Sequence, residues 1–278
     1  MSTDDLNAPA PPLHGRVERV ERLTPRIVRV VLGGEGLASY QPATTTDQYV
    51  NVVFPPPGAP YQVPFDVDAA RAGDHRPVGR RYTIRAWDPV ARQVTIDFVV
   101  HGDVGVAGRW ANHARPGDLL QFIGPSGGYT PDPDADWYLM VGDESALPAI
   151  GASLEQVPEG RPVLAVLVVD DADHHLALAT PGALSVRWVH RGGQGDASES
   201  LVAAVAALEF PAGTVSAFVH GEAAETRAVR RHLLGERAMD RSLLSVSPYW
   251  RRGQSDEAWR EVKRDWLAEV EQDVPSTD

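Results

Sequence analysis

The 278-residue chain contains no cysteine. This absence excludes disulfide bonds, a cysteine nucleophile and cysteine-ligated iron–sulfur clusters. If the protein transfers electrons, its carrier must therefore be a non-covalent organic cofactor. The nine histidines show no HExxH or similar metal-ligand spacing, and we predict no metal site.

Long apolar runs and a basic charge excess are also missing. No apolar run approaches the roughly 18–20 residues of a membrane-spanning helix, so we predict no integral membrane association. Residues 1–13 lack the basic start and apolar middle of a secretory signal, and we expect a disordered N-terminus and a cytoplasmic protein. The formal net charge is −12, whereas nucleic-acid binding needs a basic surface. We therefore expect no nucleic-acid partner.

Residues 14–133 contain short apolar runs that glycine and proline interrupt. Along residues 93–100, apolar and more polar side chains alternate, which is typical of a half-buried strand. Several such strands separated by turns predict an antiparallel barrel, and the proline-rich segment 55–77 is predicted to be a loop. The predicted strands are 15–23, 27–33, 48–54, 80–87, 93–100 and 118–123.

Residues 134–278 have a different rhythm, because compact apolar runs alternate with helical patterns. This alternation predicts parallel βαβ units, and hence a two-domain α/β chain with a Rossmann-like second domain. The predicted strands are 137–142, 163–169, 186–190, 214–219 and 243–247. The predicted helices are 146–156, 199–208, 223–234 and 255–272, the last with a serine cap.

The segment Arg80-Arg81-Tyr82-Thr83-Ile84-Arg85 lies in a predicted strand. Arg80 can donate several hydrogen bonds to phosphate oxygens. Tyr82 can lie against a flat ring, and Thr83 can form a hydrogen bond with a ring nitrogen. This combination suits a flavin with a pyrophosphate. An exposed basic edge strand with one core tyrosine explains the segment equally well when it is taken alone.

A glycine-rich turn follows the predicted strand 93–100 and leads into a helical pattern. Free N–H groups at such a helix start favour an anion by about 0.3–1 kcal/mol. Together with Arg80, the turn can hold one pyrophosphate, and a tight connection without a ligand is the alternative. His101 either contacts the cofactor or satisfies backbone groups at the strand end. The candidate cofactor-binding residues of the turn are His101, Gly102, Gly105, Ala107 and Gly108.

A second candidate site follows the first parallel strand of residues 134–278. Ligands bind at the carboxyl-terminal edge of open α/β sheets, although this segment lacks the GxGxxG fingerprint of dinucleotide sites. Ser145 is predicted to cap the following helix. The candidate residues here are Asp143, Glu144, Ser145 and Ala146.

Asp170 and Asp171 follow the second parallel strand. An acidic group there can bind a ribose hydroxyl and repel a 2′-phosphate, whereas Arg191 could attract that phosphate. The choice between NADH and NADPH stays open, and charge alone favours NADH. We interpret the adjacent His174 and His175 as part of a solvated acidic loop rather than as a metal cluster.

Tyr249-Trp250-Arg251-Arg252 places two aromatic residues beside two arginines. An aromatic ring could cover a flavin face while the arginines attract an anionic substrate. The alternative is a packing anchor for the last helix, with arginines at the surface.

Together, the motifs resemble the siderophore-interacting protein family, which comprises bacterial ferric-siderophore reductases related to ferredoxin-NADP reductases. The resemblance extends from about residue 14 to residue 266. It rests on four motifs in matching order and spacing, which are Arg80-x-Tyr82-Thr83-x-Arg85, Asp97-Phe98-x-x-His101-Gly102, Gly142-Asp143-Glu144-x-Ala146-Leu147-Pro148-Ala149-Ile150 and Tyr249-Trp250-Arg251-x-Gly253.

The resemblance implies an FAD-binding barrel at residues 14–133 and a nicotinamide-dinucleotide domain at residues 134–278. Arg80 would bind the FAD pyrophosphate, Tyr82 would stack on the isoalloxazine, and Thr83 would sit near its N5. The turn 101–108 would hold phosphates. Many relatives have Gly-Pro-Ala-Ser where this chain has Gly-Val-Ala-Gly, so a phosphate donor is missing at Gly108.

The resemblance also places Asp143, Glu144 and Ala146 in the nicotinamide-cofactor cleft, with Ser145 in place of a common threonine. Tyr249 and Trp250 would lie near the flavin, and Trp250 would join Tyr82 and Thr83 as a catalytic residue. The candidates for binding an anionic ferric siderophore are Arg251, Arg252 and Lys263.

The implied activity is hydride transfer from NADH or NADPH to FAD, followed by single-electron transfer to ferric iron in a siderophore. A ferredoxin is a possible alternative donor. Two other hypotheses stay open: a general flavin or quinone reductase of the same fold, and a flavin-bound siderophore-binding protein without turnover.

Overall fold

The computed structural model describes residues 12–193 and 196–273. The prediction of disorder for residues 1–13 lies mostly outside these ranges. The chain forms two compact units. Unit 1 contains residues up to 22 together with 28–43 and 48–126, and unit 2 contains 23–27, 44–47 and the chain from 127 onward. No single cut in the sequence therefore separates the two units.

Unit 1 is a closed six-stranded antiparallel barrel, as predicted. Its strand order is β1-β2-β5-β4-β3-β6, and its interior is filled by aliphatic and aromatic side chains such as Leu32, Ile96 and Phe122. The strands are β1 (His14–Thr24), β2 (Ile27–Gly33), β3 (Tyr49–Phe54), β4 (Val78–Asp88), β5 (Gln93–Val99) and β6 (Leu119–Ser126).

Two helices accompany the barrel, α1 (Val67–Ala72) and α2 (Val106–His113). The prediction that residues 55–77 form only a loop was wrong, because they contain α1. Asp66 caps this helix by accepting hydrogen bonds from the N–H groups of Asp68 and Ala69. The cap stabilises a helix too short to show apolar periodicity.

Unit 2 is a five-stranded parallel sheet in the order β11-β10-β7-β8-β9, with apolar clusters on both faces. Every residue of the central strand β7 is buried, which explains its continuous apolar sequence. The strands are β7 (Trp137–Asp143), β8 (Pro162–Val169), β9 (Ala183–His190), β10 (Val215–Glu222) and β11 (Leu244–Trp250). The helices are α3 (Leu147–Leu154), α4 (Ser198–Ala206), α5 (Ala223–Arg231) and α6 (Asp256–Gln272).

The observed ends of these elements differ from the predicted ends by at most three residues. The largest differences have local causes. Strand β11 continues through Pro248 to Trp250, and an edge strand tolerates proline because one side needs no ladder hydrogen bonds. Helix α5 ends at Arg231, and the chain continues as the π-helical turn His232–Glu236.

Candidate functional site

The predicted flavin residues of unit 1 lie on strand β4, which pairs with β3. Arg80 and Tyr82 share one side of the strand, and Thr83 points to the other side and is buried. The Tyr82 ring is half-buried, with its centroid 4.4 Å from that of Phe98 on β5. The two rings are tilted by 45°, and the exposed part of the Tyr82 ring can contact a flat ligand.

Helix α2 begins at the glycine-rich turn. Gly105 is its N-cap residue with φ 74°, and Gly102 has φ 63°, so both positions need a conformation that favours glycine. No side chain within the described chain caps α2, and a Cβ on either glycine would meet nothing within 4 Å. The first-turn N–H groups of α2 can therefore receive an anion.

Other residues in and near this turn differ in their burial and contacts. Ala107 is buried against the barrel core, His101 is exposed, and the Asn112 side-chain amide donates to the Gly102 carbonyl at 2.8 Å. With the Arg80 guanidinium, unit 1 offers the donors that a pyrophosphate needs. These residues fit an FAD.

In unit 2, Asp143 ends β7 and is 1% exposed. Its Oδ1 accepts from the Ser145 N–H at 2.8 Å and from the Ser145 hydroxyl at 2.5 Å. Its Oδ2 accepts from the Glu222 N–H at 2.9 Å and from the Trp250 indole N–H at 2.7 Å. Asp143 therefore organises the sheet edge and fixes the Trp250 ring.

The prediction that Ser145 caps α3 was wrong. The N-cap residue is Ala146, which is buried, and the Ser145 hydroxyl donates to Asp143 instead. Helix α3 begins at Leu147, one residue too late for a Ser145 cap, and the Ser145 N–H and hydroxyl both donate to the charged Asp143 carboxylate.

Glu144 is buried beside Arg191. The Arg191 Nη1 donates to both Glu144 oxygens, at 2.8 and 2.7 Å, and lies 3.4 Å from Asp170. The guanidinium is also 3.8 Å from Asp143 and 3.7 Å from Glu225. Burial lowers the pKa of Arg191, but these carboxylates outweigh that effect and raise it overall. Arg191 is a buried counter-ion, and its cation is already neutralised.

The predicted substrate-binding cations also have partners inside unit 2. The Arg252 Nη2 donates to Glu225 at 2.9 Å, the Arg251 guanidinium lies 5.9 Å from the Trp259 ring centroid, and the Lys263 Nζ donates to the Pro248 carbonyl at 2.7 Å. All three side chains are partly exposed. Their role in binding substrate stays a prediction.

A polar chain that the sequence analysis missed holds Tyr249. The Tyr249 hydroxyl lies 3.0 Å from Nδ1 of His220, whose Nε2 lies 2.9 Å from the Ser245 hydroxyl. Burial lowers the pKa of His220 to about 3, so its imidazole is neutral. His220 belongs to a fully buried strand, and no spacing in the sequence marks it as a site residue.

The described part of the chain has no helix with the length and apolar character needed to cross a membrane. It also contains no group of three or more His, Cys, Asp or Glu side chains arranged to hold a metal ion.

The barrel followed by a parallel α/β unit is the ferredoxin reductase-like fold. Models of two domains match the chain: the siderophore-interacting FAD-binding domain at residues 16–129 and the siderophore-interacting protein domain at residues 135–253. The chain belongs to the siderophore-interacting protein family, as the motifs indicated.

Individual relatives agree with this assignment. Ferric vibriobactin reductase ViuB of Vibrio cholerae is 35% identical, and the alignment covers 88% of this chain and 91% of ViuB. An NADPH-dependent ferric-chelate reductase of Escherichia coli is 30% identical over 84% of this chain and 91% of its own. The siderophore-interacting protein SipS of Aeromonas hydrophila has a similar structure, with TM-score 0.80, 30% identity and coverage of 93% and 98%.

Proposed function

We propose that the chain is an FAD-dependent NAD(P)H oxidoreductase that reduces ferric iron held by a siderophore. The proposal rests on two features of unit 1. Strand β4 carries Arg80 and Tyr82 on one side, and helix α2 begins at a glycine turn without a side-chain cap. The match to an FAD-binding domain and the names of two relatives, a ferric vibriobactin reductase and a ferric-chelate reductase, support it.

Each residue of unit 1 has a defined task in this proposal. Arg80 and the first-turn N–H groups of α2 bind the pyrophosphate. Tyr82 packs against the isoalloxazine. A hydrogen bond from Thr83 near N5 stays a prediction, because Thr83 is buried on the side of β4 opposite to Tyr82. FAD, when bound, accepts a hydride from a nicotinamide and passes electrons singly to ferric iron. The protein supplies binding, orientation and electrostatics rather than a general acid.

Unit 2 is proposed to bind the nicotinamide donor, and its charges favour NADH. Asp143, Glu144 and Glu225 are buried at the sheet edge, and Arg191 is already neutralised among them. A 2′-phosphate would bring about 1.5–2 further negative charges to this group of carboxylates, whose buried arginine is already shared among them. The Escherichia coli relative is NADPH-dependent by name, so this chain is proposed to differ from it in donor.

Anaerobic mixing of the flavin-loaded protein with each nicotinamide tests the proposal. NADH should bleach the flavin absorbance with a rate per concentration at least about tenfold above that of NADPH, a difference of about 1.4 kcal/mol. A ferric siderophore should then restore the absorbance. An equal or better rate with NADPH would contradict the donor assignment alone.

The other outcomes separate the remaining hypotheses. If neither nicotinamide nor reduced ferredoxin bleaches the flavin, the enzyme hypothesis is ruled out. A flavin-bound siderophore-binding protein is then the remaining hypothesis. Reoxidation by quinone or free flavin but not by ferric siderophore would indicate a general reductase. A ferredoxin donor, a cytoplasmic location and substrate contacts by Arg251, Arg252 and Lys263 remain predictions.

Gly108→Ser is expected to tighten FAD binding roughly fivefold, because one added hydroxyl donor to phosphate contributes about 1 kcal/mol. The site has room, since a Cβ at Gly108 would have its nearest contact at 3.9 Å, with the Val100 Cα. Isothermal titration of the apoprotein with FAD measures the change. Gly108→Ala is the control, because it adds the Cβ and the helix propensity without the hydroxyl. Equal affinities for the two variants would contradict a phosphate contact.

A further inference from the structure

Two histidines meet at one edge of the unit 2 sheet, and neither has a role in the proposed function. His175 follows the short helical turn Ala172–His174, and His190 ends β9, the edge strand. Their Nε2 atoms lie 2.8 Å apart, and both residues are exposed. In the sequence, the neighbour of His175 is His174. The partner in space is 15 residues further along the chain.

The His175 ring stacks on a tryptophan, and the His190 ring meets it end to end through the Nε2 contact. The His175 ring lies on the Trp188 ring, with centroids 4.4 Å apart and an interplanar angle of 13°. The His190 ring lies 5.1 Å from the His175 ring at an angle of 29°. Trp188 and His190 share one face of β9, because they are two residues apart on a strand. Ordered rings reduce the entropic cost of binding a ligand between them.

One carboxylate acts on the pair. Asp171 lies at the start of the same loop, and its carboxylate is held 2.7 Å from Nδ1 of His174. This carboxylate acts electrostatically on both His175 and His190. Two neutral nitrogen ligands beside a negative charge suit a divalent cation of intermediate softness.

We propose that His175 and His190 form a two-imidazole site for a divalent first-row transition-metal ion such as Zn²⁺ or Ni²⁺. Zn–N bonds of 2.0–2.1 Å at a tetrahedral angle place the two nitrogens about 3.3 Å apart. The two nitrogens must therefore separate by about 0.5 Å, and both rings must turn so that their Nε2 lone pairs point at one ion. Side-chain rotation at an exposed position allows both changes. Water fills the remaining coordination positions.

Metal binding at this site releases no proton from the two imidazoles. Without metal, one ring donates its Nε2–H to the other Nε2. With metal, both Nε2 atoms are ligands, so the donating ring takes the tautomer with its proton on Nδ1. No proton needs to leave, because each neutral imidazole carries one in either state.

Calorimetric titration of the metal-stripped, flavin-loaded protein with Zn²⁺ tests the site. The wild type should bind one equivalent, and His175→Ala and His190→Ala should each weaken binding by more than about tenfold, since loss of outer-shell partners alone costs 10–100-fold. His113→Ala is the matched control, because His113 is an exposed histidine of unit 1 that pairs with Asp103. Absence of saturable binding, or retention of it in both variants, would overturn the proposal.

Tryptophan fluorescence gives a second measurement that places the ion. Ni²⁺ is a quencher, and Trp188 stacks directly on one proposed ligand. Saturating Ni²⁺ should therefore quench the wild-type emission, and Trp188→Phe should abolish most of that quenching while still binding Zn²⁺. Quenching that is unchanged in Trp188→Phe would place the ion elsewhere and overturn the assignment.

Discussion

Arg80→Ala is expected to weaken FAD binding by about 10- to 100-fold. A hydrogen bond to a charged group contributes about 1.5–3 kcal/mol. We assign the Arg80 guanidinium, which lies on the same side of β4 as Tyr82, to the pyrophosphate. Isothermal titration of the apoprotein with FAD measures the loss directly. Arg80→Lys should recover only part of it, because an ammonium lacks the planar fork of donors.

Arg81→Ala is the matched control for this prediction. Arg81 is exposed on the opposite side of β4, and its guanidinium lies 5.9 Å from the Tyr49 ring centroid. Its removal changes the charge of the barrel by the same amount without removing a proposed phosphate contact. An equal loss of FAD affinity in both variants would indicate a general charge effect and refute the specific contact.

The barrel and the parallel sheet could be predicted because their signals are local. Alternation along β5, and a continuous apolar run in the fully buried β7, follow from which faces each strand buries. The prediction failed where a single side chain decides the structure. Asp66 stabilises α1 inside a proline-rich segment, and Pro248 is tolerated because β11 is an edge strand.

The residues of the candidate site also differ in whether local sequence can predict their roles. Arg80, Tyr82 and the glycine turn could be predicted from residue types in one strand and one strand–turn–helix. The roles of Glu144 and Arg191 could not, because two charged residues 47 positions apart become partners only when the sheet brings their strand ends together. In the sequence, a carboxylate at a strand end that binds a ligand cannot be told from one that pairs with a buried arginine.

That buried partnership makes Arg191 a strong stability determinant. Arg191→Met is expected to destabilise unit 2 by about 3–5 kcal/mol, because it leaves Glu144, Glu225 and Asp143 without their shared counter-ion. Denaturant unfolding followed by amide hydrogen exchange in unit 2 measures the loss. The control is Arg161→Met, which removes an exposed ion pair with Asp136 at 3.6 Å and should leave the free energy of unfolding nearly unchanged.

The pH dependence separates lost charge compensation from lost packing. Burial raises the pKa of Glu225 from 4.5 to about 7 in the folded protein, against the opposing effect of Arg191. A raised folded-state pKa gives stability that is complete below pH 4.5 and is lost as the pH rises through 7. Removing Arg191 raises this pKa and that of Glu144 further, so Arg191→Met should lose more stability at pH 8 than at pH 5. An equal loss at both pH values would mean that packing, rather than charge, makes Arg191 necessary.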